Sequence, residues 1–322
     1  MNEFSFINSI KQIKYNQPSL VKGIGDDAAV FRSNQDIVTA VDSFVEGVHF
    51  SRETMSPYQT GYRALAANIS DLAAMGAVPT FYLVSIVIPK KWSIKDVKEI
   101  FDGMKELAKQ DHMDLIGGDT VSGLELSISV TVIGFVEKGM ARYRSTAKPG
   151  DVVFVTGTLG DARAGLHILT EHKENAYTNS SYFKKRHQMP SPRSSFAVSL
   201  KNMDCVTLND VSDGIASEAN EIAEASHVTI TLYDDDIPVS KDFHQFSPSQ
   251  QYEWKYSGGE DFELIGTIAE ENWDEIVKIA NDTGTQLTKI GLVTEMEEEP
   301  SVYAIRDNNK TRVNKNGYIH LK

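Results

Sequence analysis

The chain has 322 residues, with 32 Lys plus Arg against 45 Asp plus Glu, giving a formal net charge of −13. Hydrophobic residues make up 41% and charged residues 24%, an ordinary globular composition, and the length suggests about two domains. The acidic balance excludes nucleic-acid and anionic-membrane partners, because phosphate backbones and lipid headgroups repel a net anion; single phosphate ligands remain accessible where divalent cations bridge them to carboxylates.

In chain order, Ile37 to Val41 is a short β-rich run. Tyr58, Tyr62, Leu65, Ile69 and Leu72 recur at helical spacing and mark one face of an amphipathic helix, which Gly76 and Pro79 are expected to stop. Phe81 to Ile88 reads as a strand, and Ser93 as the N-cap of a helix running to about Ala108. Ser127 to Val136 alternates, with Ile128, Val130 and Val132 facing away from Ser127, Ser129 and Thr131. The turn cluster Ala147-Lys148-Pro149-Gly150-Asp151 marks the expected boundary between a domain over 1–146 and a domain over 147–322. Beyond it Val152 to Thr156 is a strand, Thr170 to Pro192 is polar enough to read as surface, and Cys205 to Leu208 reads as a buried strand. Gly214 to Ser226 is helical, His227 to Tyr233 alternates as a strand, and a helix covers roughly Asn272 to Asn281. The acidic runs Asp234-Asp235-Asp236 and Glu295 to Glu299 are expected in solvated loops.

Cys205 is the single cysteine, which rules out an internal disulfide and a thiolate zinc cage and fits a reducing compartment. The N-terminal MNEFSFINSIKQIKYN has neither a long apolar core nor a small-residue cleavage site, so no signal peptide is expected. The longest apolar stretch, Phe81 to Pro89, is far short of the ~20 residues that span a bilayer. The expected location is cytoplasmic.

The acids that stand out lie beside glycine or small residues at the ends of regular elements. They are Gly23-Ile24-Gly25-Asp26-Asp27-Ala28-Ala29, Ala40-Val41-Asp42-Ser43, Asn68-Ile69-Ser70-Asp71, Gly117-Gly118-Asp119, Asn209-Asp210-Val211-Ser212-Asp213-Gly214 and Ser257-Gly258-Gly259-Glu260-Asp261. Each alone is ordinary turn or N-cap chemistry. As a set they point further: convergent aspartates repel unless cations neutralise them, and their oxygen-only side chains suit Mg²⁺, which phosphoryl transfer requires. The glycines let phosphate oxygens approach backbone N–H groups. Other motifs fail. The G-x-G-x-x-A match at 23–28 carries two aspartates that would repel a pyrophosphate, there is no Walker Gly-Lys-Ser/Thr, and His167 and His172 lack zinc-peptidase spacing.

These motifs together resemble the thiamine-monophosphate kinase family, within the superfamily of aminoimidazole ribonucleotide synthetase and selenophosphate synthetase. The matching pieces are GIGDDAAVF at 23–31, VDSFVEGVHF at 41–50, NISDLAAMGAVP at 68–79, LIGGDT at 115–120, RSTAKPGD at 144–151, TGTLGDARAGL at 156–166, DVSDGI at 210–215 and SGGEDFEL at 257–264. The resemblance implies an α+β fold of two domains: an N-terminal mixed sheet that forms a dimeric β-barrel, and a C-terminal α/β domain. It implies transfer of the γ-phosphoryl group of ATP to thiamine monophosphate, with ATP as co-substrate, several Mg²⁺ ions and a homodimer. On this carry-over Asp27, Asp42, Asp71, Asp119, Asp210 and Asp213 bind Mg²⁺, with the Val41 carbonyl as a further oxygen. Asp27, Gly118, Asp119, Arg144 and Ser212 contact the nucleotide. His49 and Glu260 contact thiamine monophosphate, and Lys315 stands where many members carry a stacking aromatic, with Tyr318 close by. No residue is expected to serve as acid or base, because the acceptor is itself a largely deprotonated phosphate. Residue by residue, Arg144 also fits a surface salt bridge, His49 a packed or edge histidine and Ser212 a helix cap.

Two competing readings follow from the same residues. Another ATP-using member of the superfamily, such as aminoimidazole ribonucleotide synthetase, fits the acids; VEGVHF and SGGEDFEL point away from it. A non-catalytic divalent-cation-binding protein fits the carboxylates but not their dispersal or Arg144.

Overall fold

The computed structural model describes residues 9–171 and 174–315. The chain divides into two compact units, one of residues through Leu72 with Ala77–Ala141, the other of Ala73–Gly76 with residues from Arg142 onward.

In the first unit, four strands form an open mixed sheet: β3 (Asp36–Val45), β4 (Val78–Pro89), β5 (Asp114–Gly123) and β6 (Ser127–Val136), in the order β3-β6-β4-β5 with only β4 and β5 parallel. A short ribbon of β1 (Leu20–Lys22) and β2 (Val30–Phe31) precedes it. Two helices belong with the sheet, α1 (Pro57–Ala74) and α2 (Ile94–Gln110). Gly61 and Gly103 let them touch: a Cβ on either would overlap a backbone carbonyl of the other helix. Leu72 of α1 packs against Gly134 of β6. The alternation in β6 becomes two faces, with Ile128, Val130 and Val132 fully buried. On the other face Ile37, Val41 and Val121 are exposed by 53%, 61% and 45%, an apolar area with hydroxyls of Ser43 and Ser129 between.

The second unit is built on a seven-stranded sheet, order β13-β12-β9-β11-β7-β10-β8, antiparallel except for β12 with β9. Its strands are β7 (Asp151–Thr156), β8 (Thr207–Asp210), β9 (Val228–Tyr233), β10 (Leu264–Ala269), β11 (Leu287–Glu295), β12 (Ser301–Arg306) and β13 (Asn309–Arg312). The central strands β7 and β10 are nearly continuous apolar runs because both faces are covered, whereas β9 keeps its alternation. One core layer holds Ile215, Ala219 and Ile222 of α6 (Ile215–Ser226) against Val153, Val155 and Ile230. The opposite layer holds Phe196 of α5 (Ser194–Ser199) and Leu200 with Ile276 of α8 (Trp273–Asp282) against Phe154 and Leu208.

Three sequence expectations are corrected. The Thr170 to Pro192 stretch is not plain surface: it contains α4 (Ser180–Gln188), whose Phe183 and His187 are buried against α3 (Asp161–Glu171). Cys205 does not open a buried strand; it is exposed at φ 53°, and β8 begins at Thr207. Asp234 is not solvated: from α7 (Pro248–Ser257), Tyr256 Oη donates to it at 2.8 Å and Lys255 Nζ lies at 2.7 Å. Among the described residues no helix is long and apolar enough to cross a membrane.

Candidate active site

In the first unit, Asp26 and Asp27 lie on the exposed loop between β1 and β2, and no helix follows it, so the G-x-G-x-x-A run is a strand connection and not a dinucleotide fingerprint. The loop is anchored where sequence reading saw nothing: Ile24 N–H donates to Tyr15 Oη at 2.9 Å, and Gly23 packs so closely on the Tyr15 ring that a Cβ would overlap it. The buried Asp114 carboxylate in turn accepts the backbone N–H groups of Asn16 and Gln17 at 2.9 and 2.8 Å.

Asp42 lies on β3, and its N–H is taken by Asn68 Oδ1 of α1 at 3.0 Å. Asn68 is itself fully buried and donates to the Ala64 carbonyl, so the Asn-Ile-Ser-Asp motif ties the helix to the strand one turn before the half-buried Asp71. Burial pushes the Asp42 carboxyl pKa up, and the nearby His49 imidazole pulls it back. His49 is half-buried at the edge; its Nδ1 accepts the Val45 N–H at 3.1 Å and its ring stacks on Phe44. The sheet register separates two of the expected ligands. Asp42, Val130, Val84 and Gly118 form one row, whereas Asp119 belongs to the next row with Ser43, Ser129 and Ser85. Asp42 and Asp119 therefore project from opposite faces, three strand spacings or about 14 Å apart. Val41 shares the open face, which leaves only its carbonyl as a donor. Gly118 is required by proximity: a Cβ there would overlap the Val84 carbonyl oxygen.

In the second unit, Asp210 ends β8 and is buried, while Asp213 is exposed. Glu218, on the first turn of α6, accepts the N–H groups of Ser212 at 3.1 Å and Asp213 at 2.7 Å. It thus fixes the Asp210–Asp213 turn, and Gly214, not Ser212, is the N-cap. Burial raises the Glu218 pKa to about 8, against the Asp213 hydrogen bond and with the added repulsion of Asp210. Arg144 is exposed; it donates through Nε to Asn209 at 2.9 Å and pairs with Glu221 at 3.0 Å, beside the same turn.

Glu260 lies on the adjoining turn. Its N–H donates to the Ser212 carbonyl at 2.6 Å and the Phe262 N–H to Val211 at 3.0 Å, which stitches the two motifs together. Glu260 and Phe262 both hold positive φ, 60° and 51°, a conformation costing on the order of 1–3 kcal/mol each for a side-chain-bearing residue. Lys315 is exposed and paired with Glu224 at 2.7 Å; Tyr318 and His172 lie outside the described residues. Among the described residues, no three His, Cys, Asp or Glu side chains gather into a metal-holding cluster.

The AIR synthase related protein N-terminal domain family matches residues 25–136, and its C-terminal domain family matches residues 148–303. The chain is 45% identical to the thiamine-monophosphate kinase of Bacillus subtilis, with both chains covered in full. Its fold matches the crystal structure of the thiamine-monophosphate kinase from Stenotrophomonas maltophilia with a TM-score of 0.86 at 32% identity, over 97% of this chain and 98% of that one. It also matches AaThiL complexed with AMPPCP and TMP, with a TM-score of 0.78 at 30% identity over 93% and 92% of the two chains.

Proposed function

The chain belongs to the thiamine-monophosphate kinase family, and on that premise we propose that it phosphorylates thiamine monophosphate with ATP, giving thiamine diphosphate and ADP. One observation carries the reading: the fold match, over more than nine-tenths of both chains, to a relative solved with AMPPCP and TMP. ATP is the co-substrate, and a reducing, ATP-rich cytoplasm is the expected setting.

The proposed Mg²⁺ ligands are Asp27, Asp42, Asp71 and Asp119 of the first unit and Asp210 and Asp213 of the second, with the Val41 carbonyl. Their donors are all oxygen, as Mg²⁺ demands, and Mg²⁺ is commonly held by one or two carboxylates plus substrate phosphates. Bound there, Mg²⁺ would neutralise charge on the transferring phosphoryl group. The chain's own part is placement. Asn68 fixes the backbone of Asp42, and Glu218 fixes that of Asp213. Gly118, Arg144 and Ser212 are assigned to the nucleotide together with Asp27 and Asp119, Arg144 through its planar fork. His49, Glu260 and Lys315 are assigned to thiamine monophosphate. No side chain has to move a proton, since the attacking phosphate oxygen is already deprotonated; catalysis is alignment and electrostatics.

We assign the open apolar face of the first sheet to a second copy of the chain, the two sheets together closing the barrel that one copy leaves open. The row carrying Asp119 lies on that face.

The test is to incubate the protein with ATP, Mg²⁺ and thiamine monophosphate and to separate the products. Thiamine diphosphate is expected, falling at least about a hundredfold in Asp42→Asn and Asp210→Asn at saturating Mg²⁺. ADP release with free thiamine but not with its monophosphate would replace the substrate assignment, and near-normal turnover in both variants would remove the metal assignment.

A further inference from the structure

The segment from Ser180 to Arg193 supplies two guanidinium groups to a buried carboxylate on the Glu260 turn. Glu263 is fully buried. Arg193 grips both of its oxygens, Nε to Oε2 and Nη2 to Oε1, each at 2.6 Å. Arg186 Nη2 reaches Oε1 at 3.0 Å, and the Thr156 hydroxyl donates to Oε2 at 2.7 Å. Gly157 makes room for this carboxylate, since a Cβ there would overlap it. Two residues earlier, Asp261 accepts the N–H groups of Gly160 at 2.6 Å and Ala162 at 2.9 Å, at the start of α3. Glu260 and Phe262, which flank Asp261, both hold positive φ. Such a conformation persists only where the surroundings over-determine it.

We propose that Arg193, seconded by Arg186, is a positioning residue for substrate binding: its two-pronged grip on Glu263 holds the strained turn from which Glu260 meets thiamine monophosphate. One guanidinium would suffice to neutralise one carboxylate. A second one arranged as a fork fixes orientation as well, because two parallel N–H bonds leave the carboxylate no freedom to rotate. Glu263 also passes the constraint on, as its carbonyl accepts the Val211 N–H at 2.7 Å, next to the carbonyls that hold Glu260 and Phe262.

The proposal rests on the assignment of Glu260 to the substrate, and the test separates the two. Arg193→Lys keeps the charge and removes the fork. The measurement is steady-state kinetics with each substrate varied in turn, alongside a thermal melt, for Arg193→Lys, Glu260→Gln and the double variant. We expect Arg193→Lys to raise KM for thiamine monophosphate roughly three- to tenfold, to leave KM for ATP within about twofold, and to add little to Glu260→Gln in the double variant. Equal rises in both KM values, an effect that adds in full to that of Glu260→Gln, or a variant that does not fold would overturn the proposal, since each describes a frame that serves the fold and not the turn. A silent Arg193→Lys beside an impaired Glu260→Gln refutes the proposal alone. An unaltered KM in Glu260→Gln refutes the substrate assignment beneath it.

Discussion

Asp261 and Glu263 lie two residues apart beside the same Arg186, yet they ionise in opposite directions. Burial raises Asp261 to about 7, partly offset by Arg186 and reinforced by Asp161. Burial acts on Glu263 too, but Arg186 and Arg193 outweigh it and hold the carboxyl below its ordinary value. The folded state therefore keeps a proton on Asp261 that the unfolded chain gives up near pH 3.8. Below that pH both states are protonated and the group is neutral to folding. As pH rises from about 4 to about 7 the unfolded state binds fewer protons, so this group removes stability across that window. We expect the melting temperature of wild type minus that of Asp261→Asn to shrink between pH 5 and pH 8. A gap that stays constant with pH would mean that Asp261 is ionised throughout. None of this is readable from sequence, because the partners of Asp261 come from Gly160, Ala162 and Arg186, some 75 to 100 residues away.

Among the elements, α2 is the one whose start was plainest in the sequence, and the structure gives it a full capping box. Ser93 Oγ accepts the Asp96 N–H at 3.1 Å while Asp96 accepts the Ser93 N–H at 2.9 Å. Ser93→Ala should cost about 1 kcal/mol in urea unfolding with an unchanged slope; no loss would mean that Asp96 caps the helix alone. The elements that could be read carry their period openly: α2 and β6 have one wetter and one drier side, whereas α1, whose stripe marks one face in the sequence, is buried all round from Thr60 to Ser70. The unread ones lack it. β5 buries its first residues and then runs through Gly117-Gly118-Asp119 into exposure, so no alternation marks it. Helix α4 has few apolar residues to set a stripe, and its inward face is completed by Arg186, a residue that composition assigns to the surface. The acidic motifs were legible because glycine and aspartate are conspicuous at turns. Asn68, Glu218 and Tyr15, which hold those motifs in place, look ordinary in sequence and acquire meaning only through contacts across the fold.

For the molecule as a whole, the exposed face of the first sheet is the largest claim on a partner. Ile37 and Val121 sit toward opposite edges of that face, so a charge at both should block a second copy from docking without touching the proposed ligands. Ile37→Asp with Val121→Asp is expected to convert a dimer to a monomer by sedimentation while the second unit keeps its melting transition. A wild-type protein that sediments as a monomer at micromolar concentration would retire the assignment. Cys205 gives the same question a second route. It is the only thiol of the 322 residues and it stands exposed ahead of β8, within reach of no other cysteine. One maleimide dye per polypeptide can therefore be attached to the natural sequence. Counting bleaching steps, or energy transfer between donor- and acceptor-labelled populations, then reports how many copies share a particle during turnover.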